Sequence, residues 1–373
     1  VDVIYPDISF IEAETENLLG IIITHAHEDH FGALLTLYPK LGGTPLYMTP
    51  FAGGLLEAKA SSEPGAPKIA PIEIKAGSRL SLGPFEVECL PAAHSIPESL
   101  SLAIKTPLGT ALHTGDWKID ETPVAGYVTD FKRLTELGDE GVIALICDST
   151  NVVRDGQSPS EADVGRTLAE IVAKAKNRVA LTTFSSNIAR IRSIAEAAVA
   201  NGRDVVVMGR AMRRAIDVAR GLGYFDGLPN FLDDDAFGYL PRNKVVALMT
   251  GSQGEPRAAL ARIANDDHRQ VAISKGDMVI FSSRTIPGNE KAVGQVINGL
   301  ANKGIEIVTD RDALVHVSGH PRRGELAKMY QAVRPRIAIP VHGEPLHLTT
   351  HARFAAEQGV GQVVEAKNGA IVR

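Results

Sequence analysis

The chain has 373 residues, 44% of them apolar and 22% charged, which excludes a disordered polymer and allows two domains with cores of their own. No apolar run approaches the roughly 20 residues of a membrane-spanning helix, so no membrane partner is expected. The net charge of −5 does not advertise nucleic-acid binding, nor does it exclude it, because bound divalent metals and local arginine groups can place positive charge where it is needed. Arg210, Arg213, Arg214 and Arg220 form one such group and Arg322, Arg323, Arg334 and Arg336 another, although a solvated helix face is the commoner reading of such runs.

The first residues, Val1-Asp2-Val3-Ile4-Tyr5-Pro6, carry neither an initiator Met nor a basic stretch. No signal peptide is expected there, and the natural start is expected upstream. A β-branched run over 21–24 leads into His25. Residues 61–67 read as an exposed loop. Further strands are predicted over 85–90, leading to His94, over 110–113, leading to Asp116, and over 142–147, ending at Asp148. From about Ser160 the rhythm changes. A helix is predicted over 161–176 with Ser160 as its N-cap and Asp163 in its first turn. A strand over 178–183, a helix over 188–200 and strands over 204–208, 244–249 and 277–281 follow, a βα alternation that points to a parallel sheet. A last strand over 336–341 ends at His342 and again puts a reactive group at a strand tip, where open α/β sheets place ligand sites. The pattern suggests a first domain over 1–153 that resumes over 325–373, with a second domain inserted over 154–324. Cys89 and Cys147 lie in apolar strand-like runs and read as buried, reduced thiols, which favours a cytoplasmic location.

The segment Thr24-His25-Ala26-His27-Glu28-Asp29-His30 places four candidate ligands within six residues, directly after a strand. Imidazole and carboxylate are the ligand types that suit zinc and similar ions. His25 and His27 share a face of an extended stretch. Asp29 and His30 open the following helix and can serve a second ion. The spacing is not that of the metalloprotease helix motif, whose histidines stand four apart.

This run resembles the HxHxDH signature of the metallo-β-lactamase superfamily. The resemblance extends through Ala93-His94-Ser95-Ile96-Pro97-Glu98-Ser99, Thr114-Gly115-Asp116-Trp117-Lys118-Ile119-Asp120 and Asp148-Ser149-Thr150-Asn151. It continues in Thr250-Gly251-Ser252-Gln253-Gly254-Glu255-Pro256, Ile286-Pro287-Gly288-Asn289-Glu290, His316-Val317-Ser318-Gly319-His320 and Pro340-Val341-His342-Gly343-Glu344. Together these are similar to the ribonuclease J family of the β-CASP group. The resemblance implies a metallo-β-lactamase αββα sandwich with an inserted β-CASP α/β domain. It implies two zinc ions, with manganese as an alternative: His25, His27 and His94 hold one, Asp29, His30 and His342 the other, and Asp116 bridges them. Such a pair suits in-line displacement at phosphorus. His320 is implied as the proton donor to the leaving oxygen, oriented by Asp148; the plainer reading of Asp148 is a strand-end cap. Ser185, Ser186 and Asn187, with His316 and Ser318, resemble a pocket for a 5′-monophosphate, although Ser186 or Asn187 would serve equally well as a helix N-cap.

The implied activity is hydrolysis of RNA, endonucleolytic and 5′-to-3′ exonucleolytic, in RNA processing and decay, with a homodimer expected of the full-length protein. The family carries an acidic residue ahead of this segment that Asp2 and Asp7 do not obviously replace, and a further domain past the position of Arg373. Three other readings compete. A lactonase or thioesterase would share HxHxDH but has no use for the inserted domain. A catalytically dead RNA-binding subunit would have lost ligands, and none of the seven is missing. A DNA-processing β-CASP nuclease is the nearest alternative, because the positions that would read a 2′-hydroxyl are not marked in the sequence.

Overall fold

The computed structural model describes residues 4–372; Asp2 lies outside the described residues. Asp7 accepts the Ser9 backbone N–H at 2.9 Å, a local bond at the start of the helix Ser9–Ala13. The chain forms two compact units. The first takes in residues up to Glu121, Gly126–Ser158 and everything from Gly319 onward, and the second Thr122–Ala125 with Pro159–Ser318.

The first unit is built on a seven-stranded sheet. Its spatial order is Gln362–Val363, Ile337–Val341, Val142–Asp148, Gly109–His113, Leu100–Thr106, Phe85–Pro91 and Arg79–Leu82. The first four strands run parallel and the remainder form an antiparallel meander. The late strand Ile337–Val341 pairs along its length with Val142–Asp148, so that Val341 stands opposite Asp148. A smaller parallel sheet holds Ile21–Ile22, Leu46–Met48 and Ile72–Glu73.

Because side chains alternate across a strand, the large sheet feeds two cores. Val87, Cys89, Leu100 and Leu102 point to one face and pack with Ile22 and Tyr47 of the smaller sheet. Leu90, Ala103, Leu112 and Leu145 point to the other, against Trp117 and the helices Phe131–Glu140, Arg323–Val333 and Pro345–Glu357. This is a sheet-on-sheet interior with helices outside. Both cysteines are free and buried, and burial pushes the Cys89 thiol up to about 11.

The second unit carries a fully parallel five-stranded sheet in the order Asp204–Met208, Val245–Met249, Val179–Thr182, Met278–Phe281 and Glu306–Val308. Every residue of Val245–Met249 is buried, as expected of a parallel strand covered on both faces. The helix Glu161–Lys174 opens with a capping box of Ser160 and Asp163. Beside it lies Ile188–Ala200. Between these helices Arg190 and Glu161 form a fully buried bidentate ion pair at 3.0 Å. Arg190 Nη1 also donates to the carbonyls of Ser282 and Val315 at 3.2 and 3.0 Å.

Candidate metal centre

Five strand ends supply the predicted residues of the first unit apart from His320, and the fold brings them together. His25 and His27 follow Ile21–Ile22 and precede the short helix Glu28–Phe31, which carries Asp29 and His30 in its turn. His94 follows Phe85–Pro91, Asp116 follows Gly109–His113, Asp148 closes Val142–Asp148, and His342 comes immediately after Ile337–Val341. Their ligand atoms fall into three overlapping groups, each within 4.8 Å: His25, His27, His94 and Asp116; Asp29, His30, Asp116 and His342; and Asp116, Asp148, His320 and His342. Asp116, almost fully buried, belongs to all three.

The polar contacts identify which atoms face the centre. His94 Nδ1 donates to the Gly319 carbonyl at 2.7 Å, so its Nε2 carries the lone pair, and this lies 3.0 Å from His27 Nδ1. His25 Nε2 is buried without a hydrogen-bond partner and stands 3.5 Å from Asp116 Oδ2. His30 Nε2 is 3.1 Å from the same oxygen. His342 Nε2 lies 3.2 Å from Asp29 Oδ2 and 3.6 Å from Asp116 Oδ2. An orphaned imidazole nitrogen, two imidazole nitrogens face to face and two carboxylates around them are a donor set that fits divalent cations and leaves buried polar atoms unsatisfied otherwise.

Electrostatics agrees for one half of the centre. Burial first, then the neighbouring imidazoles, hold His25 and His94 well below the usual histidine range. Burial brings His27 down to about 4 against the opposing charges of Asp29 and Asp116. These three are neutral at pH 7, as ligation requires. Burial also works to lower His342, but the nearby carboxylates of Asp148 and Asp29 outweigh that and push it up to about 11. A cation there must displace a proton from Nε2. His342 adopts a left-handed backbone with φ 57°, a conformation that costs a non-glycine residue about 1 kcal/mol or more.

His320 stands beside this group. Its Nδ1 donates to Asp148 Oδ2 at 2.7 Å and is 3.9 Å from Asp116 Oδ2. Burial works to lower His320, and the Asp148 charge overrides it, so that its affinity for a proton ends above the ordinary value. Burial would raise Asp148, and His320 and His342 hold it well below the carboxylate range instead. Asp148 Oδ1 also accepts the Thr150 backbone N–H at 2.9 Å, so the strand-end cap and the histidine contact coexist in one carboxylate.

In the second unit Asn187 is the N-cap of Ile188–Ala200, accepting the Arg190 N–H on its side chain. Ser185 and Ser186 are half-buried just before it, as are His316 and Ser318 in their own segment. Both segments are tied to Ser282: Thr183 Oγ1 donates to the Ser282 carbonyl, and Arg190 bridges Ser282 to Val315. Residues that the sequence did not single out also shape the first unit. Thr150 bonds both Asp148 and His342. Buried Glu325 accepts the backbone N–H groups of Ile119, Ser158 and Arg322, each within 2.9 Å. His351 bonds Ser149 Oγ and Tyr330 OH.

Three family models match the chain: "Beta-lactamase superfamily domain" over residues 7–135, "Ribonuclease J, beta-CASP domain" over 176–300 and "Zn-dependent metallo-hydrolase RNA specificity domain" over 304–366. Among curated proteins, ribonuclease J of Sinorhizobium meliloti is 55% identical over the whole chain, which covers 66% of that relative. Ribonuclease J of Corynebacterium glutamicum is 44% identical, with 52% of its length covered. That of Mycolicibacterium smegmatis is 42% identical, with 67% covered. The chain thus spans between about half and two thirds of the length of these relatives. Among solved structures, a protein of unknown function from Enterococcus faecalis V583 matches with a TM-score of 0.66 at 16% identity, over 94% of this chain and 80% of that one; this likeness concerns the fold alone.

Proposed function

The chain belongs to the ribonuclease J family, and from that premise we propose that it is a zinc-dependent ribonuclease that hydrolyses RNA phosphodiester bonds with two ions, manganese being an alternative metal. The observation that carries the reading is the convergence of seven imidazole and carboxylate side chains from four strand ends into two groups that share Asp116, one of them holding the orphaned Nε2 of His25. In this reading His25, His27 and His94 would hold one ion and Asp29, His30 and His342 the other, with Asp116 available to both. A bound divalent pair supplies a nucleophile at neutral pH and stabilises charge developing at phosphorus.

The remaining chemistry belongs to side chains. With its Nδ1 committed to Asp148, His320 presents Nε2–H to the leaving oxygen and gives up that proton as the P–O bond breaks. The buried Asp148 charge keeps the imidazole oriented and protonated until then. Substrate selection is assigned to the second unit, where Ser185, Ser186, Asn187, His316 and Ser318 would receive a 5′-monophosphate. The support is topological: connections diverge from the carboxyl ends of the adjacent strands Val179–Thr182 and Met278–Phe281, the kind of switch point at which α/β sheets bind ligands. The activity is read as endonucleolytic and 5′-to-3′ exonucleolytic, in RNA processing and decay.

The proposed division is a metallo-β-lactamase domain over 1–153 and 325–373 and a β-CASP domain over 154–324. The full-length protein is proposed to be a cytoplasmic homodimer. Among the described residues no helix is long and apolar enough to cross a membrane. The test is digestion of one RNA and its DNA counterpart, each bearing a 5′-monophosphate or a 5′-triphosphate, with product lengths resolved. Preferential cleavage of the monophosphorylated RNA is expected. Equal cleavage of DNA would move the assignment to the DNA-processing branch, and activity that survives complete metal removal would end the two-ion reading.

A further inference from the structure

Thr150 touches both halves of the proposed machinery in the first unit. Its Oγ1 lies 2.7 Å from Asp148 Oδ1, 2.8 Å from His342 Nδ1 and 3.1 Å from the His342 carbonyl oxygen. A hydroxyl has one hydrogen to give and two lone pairs with which to accept. The shortest of these contacts is to a buried carboxylate, and a charge-assisted bond of that kind is the strongest on offer. The hydrogen is then spent on Asp148, as it would equally be spent if it went to the His342 carbonyl. In either arrangement Thr150 meets His342 Nδ1 as an acceptor. Nδ1 therefore keeps its hydrogen, and Nε2, which faces Asp29 and Asp116, is the nitrogen that gives up its proton to a cation.

We propose that Thr150 is a positioning residue that fixes the His342 tautomer for metal ligation and ties that ligand to the carboxylate that holds His320. The proposal rests on His342 being a metal ligand, as read above. Metal-bound imidazoles characteristically donate their second N–H to an acceptor that orients the ring and raises its basicity. His94 does so directly, to the Gly319 carbonyl. His342 does so through a hydroxyl backed by a charge. Asp148 thereby serves two histidines at once, His320 through Oδ2 and His342 through Oδ1 and Thr150. The sequence hides this link, because 192 residues separate Thr150 from His342.

The experiment measures zinc release to a competing chelator from the purified chain, its Thr150→Val and Thr150→Ser variants and a His342→Ala control. It adds the histidine ¹⁵N spectrum of the zinc-loaded protein. Valine keeps the shape of threonine and loses the hydroxyl; serine keeps the hydroxyl. Thr150→Val is expected to release one of its ions about 10–100-fold more readily, the usual cost of losing an outer partner of a metal-bound histidine, while Thr150→Ser retains it. The Nδ1 proton of His342 is expected to be protected from exchange in the unsubstituted protein and to exchange freely in Thr150→Val. Equal zinc retention by Thr150→Val, or a spectrum that puts the His342 hydrogen on Nε2, overturns the proposal. If His342→Ala releases no ion, the ligand assignment itself falls, a result read separately from the Thr150 variants. Should Thr150→Val not fold, the unsubstituted spectrum still decides.

Discussion

His320 and Asp116 stand 3.9 Å apart, yet they are assigned different tasks, and substitution separates them. Asp116 belongs to all three ligand groups, so Asp116→Ala is expected to lose metal and activity together. His320 has its Nδ1 on Asp148, so His320→Ala is expected to keep both ions and lose about 10²–10⁴-fold in single-turnover rate, the usual contribution of a general acid. Metal content beside rate is the comparison that matters, since an activity assay alone scores both variants as dead. An ion missing from His320→Ala would make His320 a ligand and move the proton donor elsewhere. His351 is fully buried. Burial lowers its imidazole to about 4, below the ordinary 6.5, so the unfolded chain binds more protons than the folded one between those values. Its contribution to stability is complete above pH 6.5 and drains away as pH falls toward 4, by on the order of 3 kcal/mol. Urea unfolding at several pH values should show a steeper acid loss for the unsubstituted chain than for His351→Asn. Parallel pH profiles would mean that the folded imidazole takes up its proton normally.

Two elements are held by single buried side chains. Glu325, in the first turn of Arg323–Val333, accepts three backbone N–H groups from the segments that follow Asp116, Asp148 and His320. Unmaking such bonds costs about 1–3 kcal/mol for each donor left without a partner. Glu325→Ala is expected to destabilise the first unit by at least about 3 kcal/mol in denaturant unfolding; a loss below about 1 kcal/mol would show that water replaces the carboxylate. In the second unit, Arg190→Leu strands the buried Glu161 carboxylate, an error worth about 3–5 kcal/mol. Calorimetry is expected to show that unit melting earlier; an unchanged melting temperature would refute the role given to the pair. The helix over 188–200 and the strand over 204–208 were legible to the residue, since periodicity and β-branching are local. The proposed ligands could be picked out from the sequence because each ends a strand or opens a turn. Glu325 was not, because two of its three partners lie 206 and 167 residues away in the chain, and nothing near Glu325 marks them. The helix predicted over 161–176 closes at Lys174, where Ala175 turns to extended backbone before the strand Val179–Thr182.

Across the whole molecule, the proposed centre joins His25 near one end of the chain to His342 near the other, and His342 reaches Asp29 over 313 residues. The strand that delivers His342 can enter the sheet only beside Val142–Asp148, after the whole second unit has been made. Seen from the ribosome, this is a built-in delay. At about 5–20 residues per second, a nascent chain carries its first histidine group for many seconds before the last ligand emerges. On the proposed assignment, a polypeptide still tethered to its own message lacks a complete centre with which to cut that message.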